Sequence, residues 1–223
     1  MITIFDSTDK NPLQKIGKMA GVCWSSPIDD VQKNINRAKD CIKSGHGRVL
    51  EFVDIELCIE GFSARAIREY YTHIAGGPTR LQESTRYVNC KHFDFFVPPT
   101  VKKSAESEKI YLDTMEAIRA NYEKLLESGV SREDAANILP LGMNTKIIDK
   151  RNLRNLINLM NLRLCTRAYV EIRTLAAEIK TALSSYSEEW KWIADNLFVP
   201  KCDVSGYCTE TKCCGRRPKK EDL

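Results

Sequence analysis

The sequence predicts an α+β fold, and three observations carry that prediction. Residues 49–59 alternate apolar and polar side chains with a period of two. Residues 29–43 and 106–127 repeat apolar side chains at helical spacing, and residues 152–183 are apolar over an arc too wide for a surface helix. Such a helix is expected to be long and central, within the domain or between subunits, so an oligomer is expected. With 223 residues and 43% hydrophobic content, the chain can bury a substantial core. The expected organisation is one domain over residues 1–200 and a Cys-rich basic tail over 201–223.

The elements follow in order. Val31, Ile35, Ala38 and Ile42 define the first helix, with Ser26-Pro27 upstream as a start signal and Gly45 as its break. The alternation at 49–59 predicts a strand ended by Gly61. Ser63 is placed to cap a helix over 64–73, whose stripe is Ala66, Ile67, Tyr70 and Tyr71, and Gly76-Gly77-Pro78 must stop it. Residues 93–99 read as an extended segment and loop. A helix over 106–127 carries Ile110, Met115, Ile118, Tyr122 and Leu125, Ser131 caps a shorter one to 138, and 145–150 is a brief strand. After the long apolar segment, Trp190, Trp192, Leu197 and Phe198 form a last packing helix.

Composition excludes several classes. The formal charge of +4 is modest and its visible concentration is residues 216–220, so nucleic acid is not implied. No apolar run approaches the roughly 20 residues of a membrane span, and the first residues are too soon polar for a signal peptide, so a cytoplasmic location is expected. Of nine cysteines, Cys23, Cys41, Cys58, Cys90 and Cys165 lie in expected regular elements as small hydrophobes. Cys202, Cys208, Cys213 and Cys214 crowd the tail as candidate metal ligands, but their irregular spacing and reducing surroundings favour free thiols, and no metal is expected. His46, His73 and His92 form no pair at ligand spacing, and no Walker or dinucleotide-type phosphate loop is present.

Two polar clusters remain. Residues 79–87, TRLQESTRY, pack two guanidiniums, hydroxyls and a carboxylate into nine positions. Arg grips phosphate through a planar fork and Ser, Thr and Gln add hydrogen bonds, which suits a phosphorylated small molecule; a solvated polar segment would show the same residues. The second cluster, Asn152, Arg154, Asn158 and Arg163, lies along the start of a helix, where an anion is favoured and where a capping Asn with surface charges is the plainer reading.

These residues resemble the flavin-dependent thymidylate synthases over residues 45–214. That family carries an Arg-His-Arg triplet followed by a Ser-x-Arg-Tyr ending. Here the ending is Ser84-Thr85-Arg86-Tyr87 after Gln82-Glu83, and the triplet stands as Thr72-His73-Ile74 with two extra residues between. His46 to Glu51 matches the family's His-(four residues)-Glu approach to the flavin, with Phe52 where a second His is usual. Leu139-Pro140, then Asn152-Leu153-Arg154, Asn158, Leu162-Arg163 and Glu171-Ile172-Arg173 follow the family's spacing in step.

The resemblance implies a central, mainly antiparallel sheet flanked by helices. It implies FAD held between the subunits of a homotetramer, dUMP stacked on the flavin, 5,10-methylenetetrahydrofolate as carbon donor and NADPH as reductant. The methyltransferase would yield dTMP. Arg48, Glu51, Thr72, His73, Ile74, Asn152, Arg154, Asn158 and Leu162 would fall to the flavin. Glu69, Arg80, Gln82, Glu83, Ser84, Thr85, Arg86 and Arg163 would fall to the nucleotide. Arg163 would be catalytic, its guanidinium stabilising charge as uracil N3 ionises and C5 becomes nucleophilic.

Two departures face the nucleotide side. Ala136 stands where the family usually has Arg, and Glu69 where it has Gln. Arg80, in the inserted turn, is the candidate to replace the missing guanidinium. A related flavoenzyme for another pyrimidine nucleotide, or a nucleotide-binding homologue without turnover, are the competing readings.

Overall fold

The computed structural model describes residues 1–223, a mixed helix and sheet architecture. Strands β1 (Ile2–Ile4), β2 (Asp54–Ser63), β3 (Thr79–Gln82) and β4 (Asn144–Asn152) form one antiparallel sheet in the order β1-β2-β4-β3. The helices are α1 (Pro12–Val22), α2 (Val31–Lys43), α3 (Ala64–Tyr71), α4 (Ala105–Glu127), α5 (Arg132–Ala135), α6 (Leu153–Arg163), α7 (Val170–Ser184), α8 (Glu188–Leu197) and α9 (Lys201–Ser205). None is long and apolar enough to cross a membrane. The chain gathers into two compact units: Met1, Ile59–Thr72 and Leu81–Ile148 in one, and Ile2–Cys58, His73–Arg80 and Asp149–Leu223 in the other.

In the first unit, α3 starts at Ser63, whose hydroxyl accepts from the Ala66 amide at 3.2 Å, and buries Ala66, Ile67 and Tyr70. Helix α4 starts at Ser104, whose hydroxyl caps the Ser107 amide. Its Met115 and Tyr122 are buried with Cys90, Phe93, Ala135 and Met143, with Tyr111, Ile118 and Leu125 packed alongside. Ile110, expected on that stripe, is 62% exposed. The stripe runs 111, 115, 118, 122, 125, and residue 110 is one position off it.

In the second unit, α1 and α2 approach so closely that a Cβ on Gly17 would lie 1.8 Å from the Asn34 carbonyl oxygen, so only glycine fits there. The start of α1 has no side-chain cap of its own. Glu189 of α8 caps it instead, accepting from the Leu13 and Gln14 amides at 2.7 and 3.1 Å. Trp190 is fully buried and its indole N–H donates to the Asp9 carbonyl at 2.8 Å, so α8 is the packing helix expected. Neither β1 nor α1 was expected from the sequence, because their register is fixed by these distant partners.

Two expectations need correction. The strand expected over 49–59 is a 3-10 turn from Gly47 to Phe52 followed by β2, which runs to Ser63. Val53, Ile55, Leu57 and Ile59 are fully buried at period two, whereas Phe52 is 52% exposed, so the alternation belongs to the strand only from residue 53. Gly61, expected to end the strand, is held inside it at φ +78°.

The single long helix over 152–183 is two helices, α6 and α7, separated by residues 164–169. Within α6 the buried stripe is Leu156, Leu159 and Met160, and at helical spacing its next positions are Arg163 and Arg167, which cannot continue an apolar face. The chain turns there, with the Ala168 amide bonded to the Cys165 carbonyl and the Arg173 guanidinium to that of Thr166. Helix α7 then resumes a stripe of Ile172, Leu175, Ala176, Ile179 and Leu183.

Candidate active site

Helix α6 ends at Arg163, and this residue joins a buried polar cluster in the second unit. Arg163 Nε donates to His73 Nε2 at 2.9 Å. His73 is 6% exposed, and its carbonyl accepts from Arg80 Nη2 at 2.7 Å and from Asn155 Nδ2 at 3.3 Å. Asp149, fully buried on β4, accepts from Arg80 Nε at 3.2 Å and from Arg151 Nε and Nη2 at 2.5 and 2.9 Å. Arg151 Nη1 reaches Asn155 Oδ1 at 2.8 Å.

This cluster sets the protonation of His73. Burial, then the Arg163, Arg151 and Arg80 guanidiniums, lower its pKa from 6.5 to about 4. The ring is therefore neutral at pH 7, and since Nε2 accepts, the proton is assigned to Nδ1. Because the unfolded chain takes up the proton first on acidification, the stability tied to neutral His73 is complete above pH 6.5 and lost between 6.5 and about 4.

A second group lines a cavity of about 370 Å³ at the start of α6: Glu51, Ala75, Gly76, Asn152, Arg154, Asn155 and Asn158. Asn152 caps the helix, its Oδ1 accepting from the Asn155 amide at 2.9 Å, so the plainer reading of that residue holds alongside any ligand role. Arg154 Nη1 pairs with Glu51 at 2.6 Å, both side chains well exposed. Gly76 stands at φ +78°, and a Cβ there would lie 2.4 Å from Asn152 Nδ2.

Gly76→Ala is accordingly expected to destabilise the protein by about 1–3 kcal/mol through backbone strain and displacement of the cap. A calorimetric melt should show a lower midpoint, by about 2–4 °C per kcal/mol for a chain of this size. An unchanged midpoint would mean the turn relaxes freely.

The nucleotide candidates 82–86 belong to the first unit, at the end of β3. Gln82 Nε2 donates to the Thr145 hydroxyl at 3.2 Å and the Glu83 amide to the Lys146 carbonyl at 2.8 Å. Ser84 makes a tight turn, its hydroxyl accepting from the Arg86 amide and its carbonyl from those of Tyr87 and Val88. Thr85 is half-buried within that turn, and Arg86, exposed, pairs with Glu133 at 3.1 Å. Glu69 lies half-buried on α3 and Ala136 in a 3-10 turn after α5.

Other expected site residues fall elsewhere. Arg48 borders an apolar cavity of about 700 Å³ with Met19, Val22, Trp24 and Phe52. Leu162 borders a small cavity beside Cys165, Cys202, Cys208 and Cys214. Thr72 and Ile74 are exposed, while His73 between them is buried. Arg80 needs reassignment, since its side chain, 12% exposed, turns inward to Asp149 and the His73 carbonyl, where the sequence reading had it meet a phosphate. In the tail, Arg216 and Arg217 pair with Asp203 and hold its carboxyl below the usual range, and Cys213 accepts from the Gly215 amide. No three Cys, His, Asp or Glu side chains are gathered as a metal-ligand set.

Sequence reasoning missed Asp149, Arg151 and Asn155. The signal was the phase of β4: Thr145 and Ile147 point inward, so at period two Asp149 and Arg151 must also, and two charged residues inside a strand demand partners.

The family model described as "Thymidylate synthase complementing protein" matches residues 3–186. Among curated relatives, the chain is 30% identical to the flavin-dependent thymidylate synthase of Clostridium tetani, covering 96% of this chain and 92% of that protein. It is 33% identical to the enzyme of that name from Geobacter sulfurreducens (90% and 87% covered) and 31% identical to that from Pyrococcus furiosus (94% and 89%). With a family match over most of its length and such relatives covered nearly end to end, this chain belongs to the thymidylate synthase complementing protein family.

Proposed function

We propose that this protein is a flavin-dependent thymidylate synthase, a methyltransferase that converts dUMP to dTMP with FAD, 5,10-methylenetetrahydrofolate as carbon donor and NADPH as reductant. The observation that carries this reading is the buried contact between Arg163 and His73 at the end of α6, in a chain with a family match over residues 3–186.

The residues at the α6 start fit a flavin dinucleotide. A helix N-terminus, the Arg154 guanidinium and the Asn152 and Asn158 carboxamides border one cavity beside a glycine turn, a donor set suited to an anionic, hydrogen-bonding group. Glu51, Asn152, Arg154 and Asn158 would hold it there, with His73 and the flanking Thr72 and Ile74, Arg48 and Leu162 as further candidates. When bound, the flavin supplies a hydride that completes the methyl group.

Arg163 presents a permanent cation to the uracil ring and stabilises the negative charge that develops as N3 ionises, so C5 attacks without an enzyme thiol. Gln82, Glu83, Ser84, Thr85 and Arg86 orient the nucleotide through hydroxyl, amide and guanidinium groups, and Glu69 reads its base edge. The altered triplet does not argue for lost turnover: its two substitutions, Thr72 and Ile74, lie on exposed positions, and the retained histidine is the buried one that touches Arg163.

A homotetramer with active sites between subunits is part of this proposal. Val22, Trp24 and Phe52, 65, 58 and 52% exposed, form an apolar surface around the cavity that Arg48 borders, which favours burial by another copy. We further assign residues 1–200 to the synthase and 201–223 to an appended tail, the family match ending at 186, and place the protein in the cytoplasm.

The test is turnover. Purified protein with FAD, dUMP, methylenetetrahydrofolate and NADPH is expected to form dTMP by mass spectrometry. Flavin reduction without dTMP would move the reading to another pyrimidine nucleotide, with Glu69 and Ala136 as the positions responsible.

A further inference from the structure

We propose that His73 is a positioning residue for Arg163: its imidazole Nε2, held in place by a buried ionic brace on its own backbone, fixes the orientation of the guanidinium that activates the nucleotide. The proposal rests on the thymidylate synthase reading for its kinetic consequences, but its structural content does not.

The brace is Asp149 with its two guanidinium partners. Arg80 joins the Asp149 carboxylate to the His73 carbonyl, and Asn155 joins Arg151 to the same carbonyl and, at 2.6 Å, to that of Ala75. The loop after α3 is thereby tied to β3, β4 and α6. An imidazole on so fixed a backbone offers an acceptor at a defined point, and Arg163 Nε meets it at 2.9 Å. An arginine side chain has four rotatable bonds and loses orientation readily, so a bond to Nε, at the root of the planar fork, restricts where the guanidinium points.

The acceptor role requires a neutral ring. The groups facing His73 are Arg163 and Asn155 from α6, Arg151 and Asp149 from β4, and Arg80 from β3. Protonation would place a fourth cation among three guanidiniums and one carboxylate and would remove the lone pair that Arg163 uses. The brace also accounts for the inward direction of the Arg80 side chain from β3.

The test has two arms. In the first, imidazole nitrogens of the full chain are observed by NMR, in a protein with only three histidines to assign. His73 is expected to show a protonated Nδ1 and an unprotonated Nε2 from pH 8 to 5, and its Nε2 shift to move in Arg163→Gln. A His73 that titrates near 6.5, or is unmoved by that substitution, overturns the proposal whether or not the protein makes dTMP. In the second, His73→Leu is expected to lower kcat for dTMP about 100-fold, as for loss of one aligned electrostatic donor. His73→Gln, whose carboxamide oxygen occupies the position of Nε2, should recover at least tenfold of that, with kcat of both variants read at saturating FAD so that any change in flavin affinity is kept apart from it. Equal kcat in His73→Leu and wild type, or equal loss in both variants, overturns it. Should His73→Leu fail to fold, the Gln variant and the NMR arm decide.

Discussion

Arg163→Ala is expected to lower kcat for dTMP formation by about 10²–10³-fold, the magnitude lost when one preorganised donor to a developing negative charge is removed. The expectation follows from what the residue does in the ground state and in the activated state. Neutral uracil presents little charge to a guanidinium, whereas the N3 anion presents a full unit, so most of the interaction exists only on the way to reaction. The loss should therefore fall on kcat and much less on KM for dUMP.

Folding should survive the change, because Arg163 is the last residue of α6, half-buried, and carries none of the helix's apolar stripe. Arg163→Lys restores the charge but not the planar fork, and its ammonium has no Nε to engage His73 at 2.9 Å, so it should recover little. The measurement is steady-state kinetics alongside far-UV circular dichroism. Full activity in Arg163→Ala would remove the residue from the chemistry.

Much of the fold was legible because local signals were strong. Ser63, Ser104 and Ser131 each cap the helix that follows, and the stripes of α3 and α8 lie where periodicity put them, whereas α2 buries Asn34, Ala38 and Cys41 and leaves Val31, expected on its stripe, 49% exposed. What escaped the sequence was set by partners far along the chain. Helix α1 lacks a local cap and takes Glu189 from 176 positions away, a relation no window of sequence contains. The break at 164–169 was written in Arg163 and Arg167, but a count of apolar residues over 152–183 hides two charges on the stripe.

The candidate site divides in the same way. Residues singled out by chemical type, His73, Arg163, Glu51 and Arg154, do meet in pairs; Glu51 with Arg154 is a pairing that charge suggests, whereas neutral His73 meets Arg163 as a hydrogen-bond acceptor, which charge alone does not. Arg80 was misassigned because charge on a turn reads as outward-facing. Its destination was set by Asp149, which lay inside the strand expected over 145–150, whereas that strand's other buried charge, Arg151, fell just beyond its expected end.

The largest loss of stability is expected at that same carboxylate. Asp149→Asn should destabilise the folded protein by about 3–5 kcal/mol, because it removes the carboxylate charge that pairs with the fully buried Arg151 guanidinium and with the Arg80 guanidinium, 12% exposed. Asparagine keeps the shape and could accept one bond, so what is lost is charge, and the desolvation already imposed on two cations is then uncompensated. The carboxylate also offsets two of the three positive charges around His73, those of Arg151 and Arg80, so its loss makes that loop still less tolerant of a proton.

A companion variant separates charge from packing. Asp149→Leu combined with Arg151→Met removes the fully buried pair together and takes the Asp149 charge from Arg80, near the edge of the cluster, which keeps its bond to the His73 carbonyl. It should therefore cost less than Asp149→Asn alone, since removing both members of a buried pair avoids the orphaned charge that removing one creates. Guanidinium denaturation of the three proteins reads this directly from midpoints at constant slope. If the double variant is as unstable as Asp149→Asn, the cluster contributes by shape, and the ionic account of the brace fails.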